Sequence, residues 1–245
     1  MTDTIPLLEA TGIDHDYGTV TVLRDVSVTI EHGRVTALIG PNGSGKTTLI
    51  RALAGLHEPT TGTITYNGPD TAREIGYLPQ HPAFRPGFTA LETLHFYASL
   101  VGGDEADAMA QLERVGLKHA ADRPVEALSG GMTRLLGIAQ STIGDPPIVI
   151  LDEPGSGLDP SMGLHIFDVA ADLAAEGIAI LLSSHDLELV EQVADDLLIL
   201  ADGRVAEHGS IADVRARVGG DTLRQVYEHA VGGHRDTVQV VGDHE

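Results

Sequence analysis

The sequence predicts an α/β fold: a parallel sheet covered by helices on both faces, an antiparallel β subdomain, and an inserted helical subdomain. Three observations carry this reading. Short apolar runs at 35–39, 148–151 and 178–182 alternate with helical stretches, as in a sheet buried on both faces. Val26, Val28 and Ile30 alternate with Ser27, Thr29 and Glu31, the period of a half-exposed antiparallel strand. The stretch 85–144 carries helix signals in succession and is read as the helical insertion.

Taken in order, the run 35–39 ends at Gly40, and a helix is expected from Lys46 to about Leu56, closed near Gly55. Strands are expected at 63–66 and 75–78, each bounded by Gly or Pro. Thr89-Ala-Leu-Glu92 fits a capping box and starts a helix to about Val101. Further helices are expected at 104–115 and 130–143, the latter starting at a Ser-Gly-Gly run. Strands follow at 148–151 and 178–182, and Asp202-Gly203 centres a hairpin over 198–207. The polar tail 233–245 is expected to be loosely ordered.

Composition narrows the function. The net charge of −21 repels phosphate backbones and argues against nucleic-acid binding. Aromatic content of 4% with no Trp argues against a single-strand stacking platform. Lys46 and Lys118 are the only lysines among 15 basic residues, set against 36 acidic ones, which suggests a surface adapted to high salt. Without cysteine the chain holds no disulfide or thiolate metal site. Its first residues lack the basic segment of a secretory leader, and no apolar run approaches a membrane span. A soluble, cytoplasmic chain is expected.

The chemistry begins at GPNGSGKT, which fits G-x-x-x-x-G-K-[ST] between a strand and a helix. This is the phosphate loop of a P-loop NTPase core. Gly40, Pro41, Asn42, Gly43, Ser44, Gly45, Lys46, Thr47 and Thr48 form the expected nucleotide-binding set. Backbone N–H groups and the helix N-terminus face the phosphates, Lys46 neutralises the β- and γ-phosphates, and Thr47 ligates Mg²⁺. Asp152, at the end of an apolar strand, is the expected carboxylate for Mg²⁺. Glu153 beside it is the expected base for an attacking water.

His185 ends a strand of the same sheet and is placed to reach the γ-phosphate or the water. Gln80, also after a strand, offers a neutral amide to Mg²⁺ or water. Tyr17 could stack on adenine. Two other clusters fail on geometry. Asp14-His15-Asp16 has no spacing that converges its ligands. Ser183-Ser184-His185 is no hydrolase triad, since strand neighbours point to opposite faces.

ALSGGMTR at 127–134 sets a second glycine loop at a helix start. With Tyr17, GPNGSGKT, Gln80, ILDEP, SGLDP and SSHD in that order, the chain resembles the nucleotide-binding subunits of ATP-binding cassette (ABC) transporters from about Leu7 to Gly209. The resemblance implies one ABC ATPase domain over 1–232, with its helical subdomain at about 85–144. It implies ATP and Mg²⁺ as ligands and hydrolysis as the reaction. It also implies head-to-tail pairing with a second cassette, in which Ser129, Gly130, Gly131 and Asp159 serve the partner's ATP. Separate membrane (permease) subunits would carry the substrate, placing the chain at the cytoplasmic face of the membrane. Met132, where many importers have Gln, resembles export-type cassettes; Gly155 replaces a common Thr. The alternative is a soluble ABC ATPase of iron–sulfur cluster assembly.

Overall fold

The computed structural model describes residues 5–232. Two sheets form the frame. The smaller is antiparallel, ordered β2 (Val20–Ile30), β1 (Leu8–Tyr17), β4 (Thr61–Tyr66). The larger is ordered β5 (Ile75–Leu78), β6 (Ile148–Leu151), β7 (Ala179–Ser183), β3 (Val35–Ile39), β8 (Asp196–Ala201), β9 (Arg204–Ser210). Its strands are parallel except β9, which runs antiparallel to β8. The expected parallel and antiparallel β parts are both present.

The parallel strands divide their side chains between two cores with a period of two. Val35, Ala37 and Ile39 join Val149, Leu151, Ile180 and Leu182 on one face. Helices α4 (Gly130–Thr142), α5 (Pro160–Ala175) and α8 (Leu223–Gly232) contribute to that core. Leu38, Ile148, Ile150 and Leu181 face the other way. There they meet Leu49, Ile50 and Leu53 of α1 (Lys46–Leu53) and the inner face of the antiparallel sheet, including Leu8, Leu23, Val26 and Val28. Burial on both faces explains why these strands read as unbroken apolar runs. Truncating one such Leu to Ala would cost ~2–5 kcal/mol.

Between β5 and β6 the chain runs through α2 (Ala90–Leu100), α3 (Glu105–Arg114) and α4. Thr89 caps α2 with the expected box: Glu92 N–H donates to the Thr89 hydroxyl (3.1 Å), and Thr89 N–H donates to Glu92 Oε2 (2.8 Å). Asp104 and Asp107 make the same reciprocal pair at α3. The chain closes with α6 (Leu187–Val193) after β7, then β8, β9, α7 (Ile211–Val218) and α8.

The Asp202-Gly203 hairpin forms, with φ of 49° and 75° and Ala201 paired to Arg204. Gly203 N–H donates to Ser44 O (3.2 Å), and Gly203 O accepts from Arg24 N–H (2.8 Å). The turn therefore ties the phosphate loop to β2 of the other sheet.

Some boundaries differ from expectation. The first helix stops at Leu53, three residues early, because the chain turns at Gly55 with φ of 68°. The strand expected at 178–182 runs from Ala179 to Ser183, which puts Ser183 inside β7. The expected tail at 233–245 lies outside the described residues. Among the described residues no helix is long and apolar enough to cross a membrane.

Candidate functional site

The ends of β3, β5, β6 and β7 lie side by side, so the loops after them share one edge of the sheet. Ligands gather at such carboxyl ends in parallel α/β sheets. After β3, GPNGSGKT wraps the start of α1. A Cβ on Gly40 would stand 2.2 Å from Leu200 O, so only glycine lets the loop lie against β8. Gly45 takes φ of 103° at the N-cap and offers no side-chain cap, which leaves the first N–H groups of α1 free for an anion. The Ser44 hydroxyl is buried and unpartnered among the described residues.

Lys46 is buried and curls back over the loop, its Nζ donating to Gly40 O (2.8 Å) and Pro41 O (3.2 Å). Burial pushes its ammonium below the usual lysine range, against the nearby Glu153 and Asp152 carboxylates. Thr47 is exposed and Thr48 buried.

Asp152 is 2% exposed. Its Oδ1 accepts from the Ser183 hydroxyl (2.8 Å), and that hydroxyl in turn accepts from Glu153 N–H (2.8 Å). One side chain of β7 thus fixes both residues that follow β6. Glu153 adopts φ of 50°, left-handed backbone that a non-glycine residue takes only under constraint. Burial raises its carboxyl above the usual glutamate range; Asp152 adds to the rise, while Lys46 and Arg134 oppose it. Its Oε1 lies 2.9 Å from His185 Nε2 but off the line of a hydrogen bond. Burial, then Lys46, lowers the His185 imidazole below the usual range, so the ring is neutral at neutral pH.

A cavity of 370 Å³ is lined by Asn42, Gly43, Gly45, Lys46, Thr47, Thr48, Gln80, Glu153 and His185, with Val22 of β2. Nine sequence-predicted residues thus surround one space. Unsatisfied N–H groups, the orphaned Ser44 hydroxyl and the Lys46 ammonium fit a polyphosphate. The Thr47 hydroxyl and the Gln80 amide of the lining, with the buried Asp152 carboxylate, which is not itself part of that lining, are hard oxygen donors of the kind Mg²⁺ takes alongside phosphate.

Other predicted residues stand apart. Ser129 caps α4, accepting from Met132 N–H (3.3 Å), and with Gly130 it is exposed. Gly131 is buried against Met162. None of the three lines the cavity. Asp159 caps α5, its Oδ1 accepting from Met162 N–H (3.0 Å), and lines a second cavity of 530 Å³ that shares Glu153 and His185. The Ser161 hydroxyl, then Met162 N–H, holds the Asp159 carboxyl below the usual range.

Tyr17 ends β1 and is half exposed, outside the cavity. Its ring meets His15 edge-on (4.7 Å between centroids), and His15 stacks on His57 (4.5 Å). Burial, then His15, lowers the His57 imidazole.

Sequence reasoning missed three contributors. Ser183 acts through strand adjacency that no local pattern reveals. His57 lies in the loop before β4 and reaches His15 because β4 pairs with β1. Arg134 of α4 is 6% exposed and donates to Gln80 O and, at 3.4 Å, to Ser156 O. Its only signal was a basic residue soon after the second glycine loop.

The family model described as "ABC transporter" matches residues 23–156. The chain is similar to the linearmycin resistance ATP-binding protein LnrL of Bacillus subtilis (strain 168), at 34% identity over 231 residues, covering 90% of this chain and 74% of that one. It is similar to the Nod factor export ATP-binding protein I of Ralstonia nicotianae, at 35% identity over 249 residues, covering 97% and 73%. Among solved structures it is similar to an ATP-binding subunit of an ABC transporter, with a TM-score of 0.81 and 32% identity over 91% of this chain and 99% of that one.

Proposed function

The chain belongs to the ABC transporter family as an ATP-binding subunit, and from that premise we propose that it hydrolyses ATP between two cassettes to drive export through separate membrane subunits. The observation that carries this reading is the single cavity gathering Lys46, Thr47, Gln80, Glu153 and His185 at the strand ends. Lys46 and the N–H groups of α1 hold the β- and γ-phosphates. Thr47, Gln80 and Asp152 hold Mg²⁺, which when bound offsets phosphate charge in the transition state. Glu153 takes a proton from the attacking water as its oxygen bonds to the γ-phosphorus. The bond to the β-phosphate oxygen breaks, leaving ADP and phosphate. His185 orients the water and γ-phosphate, and Tyr17 supports the adenine.

The second cassette is supported by the exposed Ser129 and Gly130, which stand outside their own chain's cavity. A helix N-terminus capped by Ser129 suits the γ-phosphate of a partner's ATP. Asp159 meets the partner at the same interface. Export is supported by relatives named for resistance and export, and those names favour transport over iron–sulfur assembly. On this reading the chain sits peripherally at the cytoplasmic face of the membrane.

The test is ATP binding and turnover by the purified full chain with Mg²⁺. Lys46→Ala is expected to lose ATP binding. Unchanged affinity would reject the phosphate assignment.

A further inference from the structure

Arg134 is the buried cation that the proposed chemistry leaves unused. It sits on the second turn of α4, the helix that Ser129 caps. At 6% exposure its guanidinium is well out of water, yet no carboxylate lies within ion-pair distance among the described residues. A buried charge normally needs a paired partner. Here main-chain carbonyls take that place. Nη1 donates to Gln80 O and Nη2 to Ser156 O.

Those carbonyls belong to two different loops. Gln80 follows β5. Ser156 closes the turn after Glu153, where Ser156 N–H donates to Glu153 O (3.1 Å). One planar fork therefore joins three segments: the helix carrying the second glycine loop, the loop carrying Gln80, and the turn carrying Glu153.

We propose that Arg134 is a positioning residue that fixes the Gln80 loop and the Glu153–Ser156 turn to the signature helix, so that the glycine loop serving the partner's ATP is coupled to the chain's own catalytic groups. The proposal rests on the ATPase reading above. Arginine suits this task because its fork presents several donors in fixed directions. A lysine ammonium is a point charge and does not span two carbonyls in the same way.

The test compares the full chain with Arg134→Lys and Arg134→Met in two measurements. The first is backbone hydrogen exchange without nucleotide. Both substitutions are expected to raise exchange severalfold at 80–81 and 155–158 together, with α1 and β3 unchanged. The second is steady-state ATPase activity with ATP affinity measured separately. Both are expected to lower kcat about tenfold or more while the Kd for ATP stays within about twofold, as for a residue that acts after binding. Should Arg134→Met fail to fold, Arg134→Lys carries both measurements.

Unchanged exchange in either loop overturns the clamp. Full turnover by Arg134→Lys overturns the need for two directed bonds. A loss of kcat matched by an equal loss of ATP affinity overturns the positioning role. If the wild-type chain hydrolyses no ATP, the ATPase reading and the coupling that rests on it fall together, and the exchange arm still decides the clamp itself.

Discussion

Glu153 Oε1 and His185 Nε2 stand 2.9 Å apart with no hydrogen bond between them. The pair is not an ion pair at neutral pH. Burial moves each group toward its neutral form, the carboxyl upward and the imidazole downward. A carboxyl with a raised pKa beside a neutral imidazole is suited to accept a proton from water. The positive φ of Glu153 has the same logic: backbone strain is held where Ser183 and the sheet end overdetermine the turn.

Glu153→Gln is therefore expected to lower ATP turnover by roughly 10²–10⁴-fold, the usual contribution of a positioned base. ATP affinity should stay near wild type, since phosphate contacts come from α1 and Lys46. Turnover and equilibrium ATP binding by the purified chain check both halves. Retained turnover sinks the base assignment.

The same substitution should stabilise the nucleotide-free protein in a pH-dependent way. The Glu153 carboxyl is raised by burial first, so the folded state binds its proton more tightly than the unfolded chain. Its favourable contribution is full below the unfolded value near 4.5 and is lost as pH rises through the folded value. Relative to wild type, Glu153→Gln should gain stability as pH climbs from that unfolded value through the folded one, and level off above it. Thermal melting between acid and neutral pH reads this directly. A gain of ~1 kcal/mol would appear as about 2–4 °C in a chain of this size. A difference that shrinks with rising pH would contradict the sign.

Ser183→Ala tests how the two carboxylates are held. It leaves Asp152 Oδ1 without its donor and Glu153 N–H without its acceptor, both in a buried setting. Each orphaned group costs ~1–3 kcal/mol, so melting should fall by several degrees. Turnover should fall with it while ATP binding holds, because Ser183 touches no phosphate-loop residue in its hydrogen bonds. A variant with wild-type melting would show that water replaces the hydroxyl at no cost.

What the sequence made legible was local. The phosphate loop, the capping box at Thr89 and the Asp202-Gly203 turn each depend on residues within a few positions, and each formed where expected. β1 was not legible, because register shifts at Ala10, Ile13 and His15 break its alternation, with Gly12 at φ of 61° among them. The cap of α3 was not legible either, since the partner of Asp104 is Asp107 rather than the Glu or Gln of the usual box. Ser183 and Arg134 act across 31 and 54 residues, respectively. Their partners are decided by which strands lie adjacent and by where α4 crosses the β5 loop. No window of sequence contains that information.

Salt should stabilise this protein. A net charge of −21 places the folded chain under strong self-repulsion, which the unfolded chain relieves by expanding. Ion pairs offset little of it. Most involve exposed partners, such as Lys118 with Glu113, and exposed pairs are worth ~0–1 kcal/mol. Arg34 with Asp196 is better shielded and forked, through Nε (2.6 Å) and Nη2 (2.8 Å), and is least affected by screening. Raising monovalent salt from about 0.1 M to 1 M shortens the screening length from ~10 Å to ~3 Å. Repulsion among carboxylates at that spacing then fades, while the weak exposed pairs have little to lose. Melting temperature should climb steadily over this range in KCl and in NaCl alike, as simple screening requires. A melting temperature that is flat or falls would show that the acidic surface is not a salt adaptation.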